Sequence, residues 1–448
     1  MKDFASSGSP AVQSQLDRLS ALSLPQGRIG LEVIHEILDR LGNPERSLPP
    51  VFHVAGTNGK GSTCAYLRAM LEAQGLTIHV ATKPHLVRYN ERIRVAGSLI
   101  SDALLAELLQ EVLDISKDLG PSFFEVTTAA TLLAFARIPA DACVIEVGLG
   151  GRLDATNVMV RPAACGIASL GVDHEAFLLT PEEGAPDPAN PMVRVAFEKV
   201  GIRRAGSPMV TQDYRPDMEA MIADLCADAG APLFRRGHEW FAEVSETGIT
   251  YHDAKGELAL PLPQMPGSHQ GDNAALAVAM LRHQDEVVVS PEAMAQGIRS
   301  AHWPARLQRL GPGPLTDRIP GAMFLLDGGH NPDAALAMAK FLDSRAAKPV
   351  RAVMGMLSAK DARTTLRTIA PHLASFTAIP IEGSDYHPLE DLAAMAAEAG
   401  VPQVDTASSL EAALDRLAAE FDGEGTVLIT GSLYLAGQVL KANGEIPD

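Results

Sequence analysis

The chain predicts an α/β protein in two parts: an N-terminal phosphate-binding-loop domain with a mostly parallel sheet flanked by helices, and a C-terminal Rossmann-like α/β domain. Three observations carry this expectation. Strand-like apolar runs alternate with helical stripes along the sequence, the pattern of βαβ units. A glycine-rich turn containing a lysine follows the first such run. A Pro/Gly-rich stretch from Trp303 to Pro320 then separates two sets of alternating elements. With 448 residues the chain exceeds the usual single-domain size, so the boundaries are set at 1–302, a linker at 303–320, and 321–448.

Taken in order, the apolar residues Val51, Phe52 and Val54 lead into the loop. Cys64 to Gln74 reads as a helix closed by Gly75, and Leu76 to Ala81 as the next strand. Ser101 to Leu119 carries Leu104, Leu105, Leu108, Leu109, Val112 and Leu113 on one helical stripe, which marks a core-facing helix. Phe124 to Arg137 is an Ala-rich helix, and Ala142 to Val147 and Cys165 to Leu170 are short buried strands. Glu175 to Pro191, with four prolines beside acidic residues, is expected to be an exposed loop. From Asp213 to about Leu262 the pattern turns strand-like (Glu239 to Val244, Gly248 to His252), an excursion at the edge of the first domain. Beyond the linker, strands at Met323–Leu326, Val350–Met354, Phe376–Ile381, Gln403–Val404 and Thr426–Thr430 alternate with helices starting near Asp333, Asp361, Leu389, Ser409 and Leu433.

Composition excludes several classes. No uncharged apolar run approaches the length of a membrane span, and Met1 to Gln26 lacks the basic-then-apolar order of a signal peptide, so a cytoplasmic protein is expected. Cys64, Cys143, Cys165 and Cys226 show no metal or disulfide spacing and read as buried thiols. The formal net charge of −18 argues against a nucleic-acid surface and obliges any anionic substrate to find a local basic site.

The loop Val54-Ala55-Gly56-Thr57-Asn58-Gly59-Lys60-Gly61-Ser62-Thr63 has the layout of a triphosphate cradle. Gly56, Gly59 and Gly61 let backbone N–H groups turn toward an anion, Lys60 adds charge, and Ser62 or Thr63 offers a hydroxyl to Mg²⁺ at a helix N-terminus. Where the standard pattern has its first glycine and its hydroxyl stand Val54 and Gly61, which implies a subfamily. Glu146 closes the strand of Ala142 to Ile145 and precedes Gly148-Leu149-Gly150-Gly151-Arg152-Leu153-Asp154-Ala155-Thr156-Asn157. A carboxylate at a buried strand end beside such a loop is placed to hold Mg²⁺. Read alone it would serve equally as a cap or a surface charge. Asp173-His174 follows the strand of Cys165 to Leu170, and His174 can add a further metal ligand.

Together HVAGTNGKGST, TKPHLVRYNERIRVAG, FFEVTTAATLLAF, EVGLGGRLDATN, Asp173-His174, FEKVGI, GSHQGDNAAL, WPARLQ and DGGHNPDA resemble the successive signatures of the folylpolyglutamate synthase and dihydrofolate synthase family, a branch of the Mur-type amide ligases. They run in order from residue 51 to about 360, and the remainder resembles the family's C-terminal domain more loosely. The resemblance implies ATP-dependent ligation of L-glutamate to dihydropteroate and to reduced folates, through an acyl phosphate. An unactivated carboxylate is a poor electrophile, and phosphoryl transfer to it needs in-line positioning and spread positive charge. By resemblance, Gly56, Thr57, Asn58, Gly59, Lys60, Gly61, Ser62 and Asn273 bind the nucleotide; Ser62, Glu146, His174 and Lys199 serve two Mg²⁺ sites, with Lys199 carbamylated. Read alone, Lys199 is a surface lysine paired with Glu198, and Asn273 an N-cap for a helix of Ala274 to Leu281. Arg306, Asp327 and His330 are implied to close over ATP, Asp327 accepting from ribose hydroxyls and Arg306 and His330 meeting phosphate. For Asp327 and His330 the alternative is a plain strand-end turn.

The pterin end is implied to involve Arg28, Ile29, Gly30, Phe124, Glu125, Leu153, Asp154 and Ala155, the pattern of bifunctional bacterial enzymes. A monomer is expected. Departures from the family pattern stand at Lys83, where a metal-ligating Ser is usual, at Ala305, where Gly precedes the Arg, and at Gly329. Either water fills the coordination position that Lys83 vacates, or its ammonium contacts phosphate or carboxylate directly. The Pro-rich loop is longer than the family's, as a lid or a tolerated insertion. Two other classes compete. A cell-wall Mur ligase would place a nucleotide-sugar domain before the loop, where only 55 residues precede Gly56. A non-catalytic nucleotide switch would need the loop but not Arg306, Asp327 and His330.

Overall fold

Val51–Ala55 (β1) is buried at all five positions, which only a strand covered on both faces of a parallel sheet can be. In the computed structural model, residues 7–22, 30–171, 178–187, 189–343, 349–421 and 423–448 are described. They fall into two compact units, Met1–Gln264 with Gln270–His302, and Met265–His269 with Trp303–Asp448.

The first unit is built on an eight-stranded sheet of order β4-β3-β2-β5-β1-β6-β7-β8. Its strands are β2 (Ile78–Ala81), β3 (Ile93–Val95), β4 (Ser98–Leu99), β5 (Ala142–Glu146), β6 (Ala164–Ile167), β7 (Met209–Thr211) and β8 (Leu233–Arg235). Along β2-β5-β1-β6-β7-β8 the pairing is parallel, whereas β3 pairs antiparallel with both β2 and β4 at the edge. Val51, Cys143 and Ile145 share a core with the helices Asp102–Ile115 and Phe123–Arg137. Alternation along a strand sends Phe52, Val54 and Val144 to the opposite face, where the helix Lys60–Ala73 packs. A separate antiparallel meander of β9 (Trp240–Val244), β10 (Ile249–Asp253) and β11 (Gly256–Leu260) forms the expected excursion.

Three expectations need correcting here, and two helices stand where none was expected. The helix after the loop starts at Lys60 rather than Cys64, so Lys60 to Thr63 form its first turn. Pro216–Ala229 is a helix inside the region expected to be strand-like; Pro216 opens it, Gly230 closes it at φ +66°, and Met218, Ile222 and Cys226 form its buried stripe. Ser268–Arg282 is helical throughout, so Asn273 lies inside a helix and caps nothing. Pro10–Ser20 and Glu32–Arg40, in a stretch with no expected element, are helices whose Val12, Leu16, Leu19, Ile34, Ile37 and Leu38 enter the core.

The second unit carries six strands in the order β12-β13-β17-β14-β15-β16, with β12 (Gln308–Arg309), β13 (Met323–Leu326), β14 (Val350–Met354), β15 (Leu373–Ala378), β16 (Gln403–Thr406) and β17 (Thr426–Thr430). All are parallel except β12, which pairs antiparallel with β13. Residues 303–320 belong to this unit and contribute β12 to its sheet. Both units are thus α/β with parallel-rich sheets. Strand β15 begins three residues before the expected Phe376, because Leu373 and Ser375 also join the ladder.

Close packing against the loop's own helix rests on Gly297 in the helix Pro291–Ser300, where a Cβ would stand 2.5 Å from both Met70 N and Met70 Cα. Gly297→Ala is expected to destabilise the protein by ~1–3 kcal/mol, against helix propensity, because Met70 presents backbone that cannot swing aside. Urea unfolding of the variant beside the wild type measures this.

Candidate active site

The phosphate loop joins the carboxyl end of β1 to the helix Lys60–Ala73, the edge of an α/β sheet where ligands gather. Gly56 (φ +150°) and Gly59 (φ +82°) have no room for a side chain. A Cβ on Gly56 would lie 2.9 Å from Ala168 Cβ, and one on Gly59 would lie 2.4 Å from Asn273 Oδ1. First-turn amides of the helix point out of its N-terminus without helical acceptors, the arrangement that binds anions. Lys60 Nζ folds over the loop, donating to Gly56 O and Thr57 O at 3.1 Å each. Ser62 and Thr63 are both buried, and Thr63 Oγ1 has no hydrogen-bond partner.

Thr57, expected to bind nucleotide, is occupied otherwise. Its N–H donates to Ser169 O at 2.7 Å, its hydroxyl donates to Gly171 O at 2.8 Å, and Gly171 N–H donates back to that hydroxyl at 3.1 Å. Ser169 Oγ donates to Asn58 O, and Asn58 and Ser169 form an isolated bridge. The loop is therefore clasped to the segment that continues β6. Gly171 lies two residues before Asp173; Asp173 and His174 lie outside the described residues.

Strand register fixes the acidic partner. In the β1–β5 ladder Val54 stands opposite Glu146, two residues before Gly56. Glu146 is 3 % exposed and accepts from Lys83 N at 2.9 Å. Asp154 closes the following loop on itself, accepting from Gly148 N (3.1 Å), Leu149 N (2.8 Å), Thr156 N (2.9 Å) and Thr156 Oγ1 (2.5 Å). Burial raises its affinity for a proton, but the Lys83 ammonium and these hydrogen bonds outweigh that and hold it ionised below the ordinary carboxylate range. Thr156 gives its one hydroxyl proton to Asp154, so His53 Nε2 must be the donor in its 2.9 Å contact with Thr156 Oγ1. His53 is fully buried and therefore neutral, its pKa lowered to about 3 by desolvation, and its Nδ1 has no partner.

Lys199 lies 5 % exposed near the end of the helix Pro191–Val200. That helix and the glycine loop interlock through two glycines. A Cβ on Gly151 would stand 2.8 Å from Glu198 O and 2.9 Å from Lys199 O, and one on Gly201 2.3 Å from Arg152 Cβ. Arg152 pairs with Glu198 (2.9 Å) and Glu182 (2.7 Å), and the buried Arg194 pairs with the same two carboxylates. Lys199 is thus no surface lysine. Glu182 fastens the Pro-rich segment, expected to be an exposed loop, to this network.

Asn273 approaches Gly59 from the helix Ser268–Arg282 and contacts Gln270 Oε1 through Nδ2 at 3.4 Å. In the second unit Arg306 sits between two residues of left-handed backbone, Ala305 (φ +57°) and Leu307 (φ +47°). Asp327 holds that turn, accepting from Leu307 N at 2.8 Å and Gly329 N at 2.7 Å, while Gly328 N donates to Ala305 O. Strain in non-glycine residues kept by specific hydrogen bonds is a mark of functional turns. His330 Nδ1 contacts Gly328 O at 2.9 Å.

Among the residues expected at the pterin end, Phe124 is 38 % exposed at the start of its helix. Glu125 is a cap: with Ser122 it makes a complete capping box. Gly30 lies under the Glu32 carboxylate, Leu153 is half-buried and Ala155 buried. Arg28 and Ile29 lie outside the described residues. Sequence reasoning passed over the roles of His53, which opens the HVAGTNGKGST signature, and of Ser169 and Gly171, which stand in no signature and are reached only through the strand register.

The donor set fits a nucleoside triphosphate with a hard cation: a glycine cradle that side chains cannot enter, helix amides, Lys60, the Ser62 hydroxyl and the Glu146 carboxylate. Among the described residues no three His, Cys, Asp or Glu side chains form a metal site by themselves.

Residues 313–433 match the model of the Mur ligase glutamate ligase domain. With the phosphate loop, that places the chain among the ATP-dependent ligases that join an acid to an amino acid through a C–N bond. The dihydrofolate synthase/folylpolyglutamate synthase of Escherichia coli K12 is 35% identical over 92% of this chain and 91% of its own length. The folylpolyglutamate synthase of Lacticaseibacillus casei is 30% identical over 90% and 92%. Among solved structures, E. coli FolC in complex with DHPP and ADP aligns at TM-score 0.84 and 33% identity over 97% of each chain. A bifunctional folylpolyglutamate synthase/dihydrofolate synthase with Mn, AMPPNP and L-glutamate bound aligns at 0.82 and 32% over 99% of each. The chain belongs to the dihydrofolate synthase/folylpolyglutamate synthase family.

Thr57→Val keeps the side-chain shape and removes the hydroxyl, leaving Gly171 without two hydrogen bonds. Stability should fall by ~1–3 kcal/mol, and Thr57→Ser should restore most of it. Denaturant melts of the three proteins decide this.

Proposed function

We propose that this protein ligates L-glutamate to dihydropteroate and to the γ-carboxyl of reduced folates, at the expense of ATP and through an acyl phosphate. The observation that supports it most is the register that sets Glu146 across from Val54 at the mouth of the phosphate loop.

In this reading Lys60 and the first-turn amides bind the β- and γ-phosphates, and Gly56 and Gly59 leave space for them. Ser62 and Glu146, with His174, would hold the metal. Magnesium, when bound, would supply positive charge that offsets the charge developing during phosphoryl transfer. Thr57 keeps the loop in place through Ser169 and Gly171. Asp154 shapes the turn of Gly148 to Thr156 against which the acid lies, beside Phe124. Lys199, carbamylated, presents an anion from the helix Pro191–Val200; the half-buried Arg152 and the buried Arg194 guanidiniums pair with Glu198 next to it. Asn273, Arg306, Asp327 and His330 are assigned to the nucleotide, Arg306 by its charge. A cytoplasmic monomer is the expected working form.

Product analysis with dihydropteroate and with tetrahydrofolate, each with glutamate, ATP and Mg²⁺, tests the proposal. Glutamylated product from both acids is expected, with at least a hundredfold loss in Lys60→Ala. Product from tetrahydrofolate alone would reject the dihydropteroate activity. Full turnover by Lys60→Ala would reject the site.

A further inference from the structure

The resting position of Lys83 is a feature the reaction outlined above does not use. Its backbone N–H is anchored on Glu146 Oε2 at 2.9 Å, just past the carboxyl end of β2. Its Nζ stands 6.0 Å from the centroid of the Phe124 ring. A Cβ on Gly148 would be 3.4 Å from Nζ, 3.2 Å from Lys83 Cδ and 3.1 Å from Asp154 Oδ2, so the ammonium and that carboxylate flank a residue that has no side chain. Three elements thus bring one fixed cation to the strand-end edge beside the phosphate loop.

We propose that the Lys83 ammonium binds the carboxylate of the acid substrate, and that it does so as a direct contact of this chain rather than through a metal. The proposal rests on the function given above and names the group that holds the acid's reacting end. Lys60 and the helix amides already serve the phosphates, whereas a chain of net charge −18 repels an anionic acid unless a local cation receives it. The Asp154 carboxylate lies beside the ammonium and itself accepts four hydrogen bonds from the loop, so the cation sits at a fixed, charge-balanced place. Phe124, 38 % exposed, supplies an apolar ring within reach of the same cation. A ring platform next to a fixed ammonium matches an aromatic carboxylic acid, so in this inference Phe124 packs on the aminobenzoate ring of dihydropteroate rather than on the pterin expected there from sequence.

Binding of dihydropteroate and of its neutral carboxamide, measured by fluorescence titration without ATP or metal, tests this in the wild type, Lys83→Met and Lys83→Arg. Titration of a non-hydrolysable ATP analogue with Mg²⁺ runs alongside. The wild type should prefer the acid over the amide by on the order of tenfold, Lys83→Arg should keep most of that preference, and Lys83→Met should bind both alike, with nucleotide affinity unchanged. Should Lys83→Met fail to fold, Lys83→Gln serves the same comparison. An acid preference that survives in the neutral variant overturns the inference. So does a loss of nucleotide affinity in its place, which would assign Lys83 to phosphate. Failure of the wild type to bind dihydropteroate at all would remove the proposed activity along with it, and is thereby told apart from failure of Lys83 alone.

Discussion

The pairing of β1 with β5 on one side and β6 on the other is the constraint on which the rest of the first unit depends. One ladder sets Glu146 opposite Val54, and the other carries on past β6 to hold Thr57 by its N–H and hydroxyl. A parallel strand slipped by one residue would turn Glu146 to the other face of the sheet and break the clasp together. Loop, carboxylate and the segment leading to His174 are therefore positioned by one set of backbone hydrogen bonds. No side chain has to search for its place.

Glycines then bring separate signatures into contact. Gly59 admits Asn273, Gly148 lies between Lys83 and Asp154, and Gly151 and Gly201 let the glycine loop and the helix Pro191–Val200 meet backbone to backbone. What recurs as sequence motifs is thus a set of close approaches where a methyl group would collide. Charge follows the same geometry: Arg152 and Arg194 pair with Glu182 and Glu198 beside the helix that carries Lys199, while Lys83 offsets Asp154. Isolated buried charges at these places would be costly, and the pairing removes that cost.

Sequence reasoning was effective where one residue pattern has one structural meaning. The apolar run before Gly56, the leucine stripe of Leu105 to Leu113 and the strand Thr426–Thr430 were all legible, because periodicity reports burial directly. It failed at boundaries and at positions set by distant chain. Gly61 and Ser62 look like loop yet begin a helix, Ser268 to Asp272 is polar yet helical, and Pro216 is an N-terminal helix signal lost in a stretch read as strands. Roles were harder still. Glu125 turned out to close a capping box, Asp327 to pin a strained turn and Thr57 to bind a neighbouring strand, all through backbone groups that sequence does not display.

Calorimetric titration of a non-hydrolysable ATP analogue into the wild type and into Glu146→Gln, each with and without Mg²⁺, tests the central claim that loop and strand-end carboxylate form one nucleotide and metal site. The account predicts that Mg²⁺ tightens binding to the wild type by on the order of tenfold or more and has little effect on the variant. Equal Mg²⁺ dependence in the two proteins would contradict it.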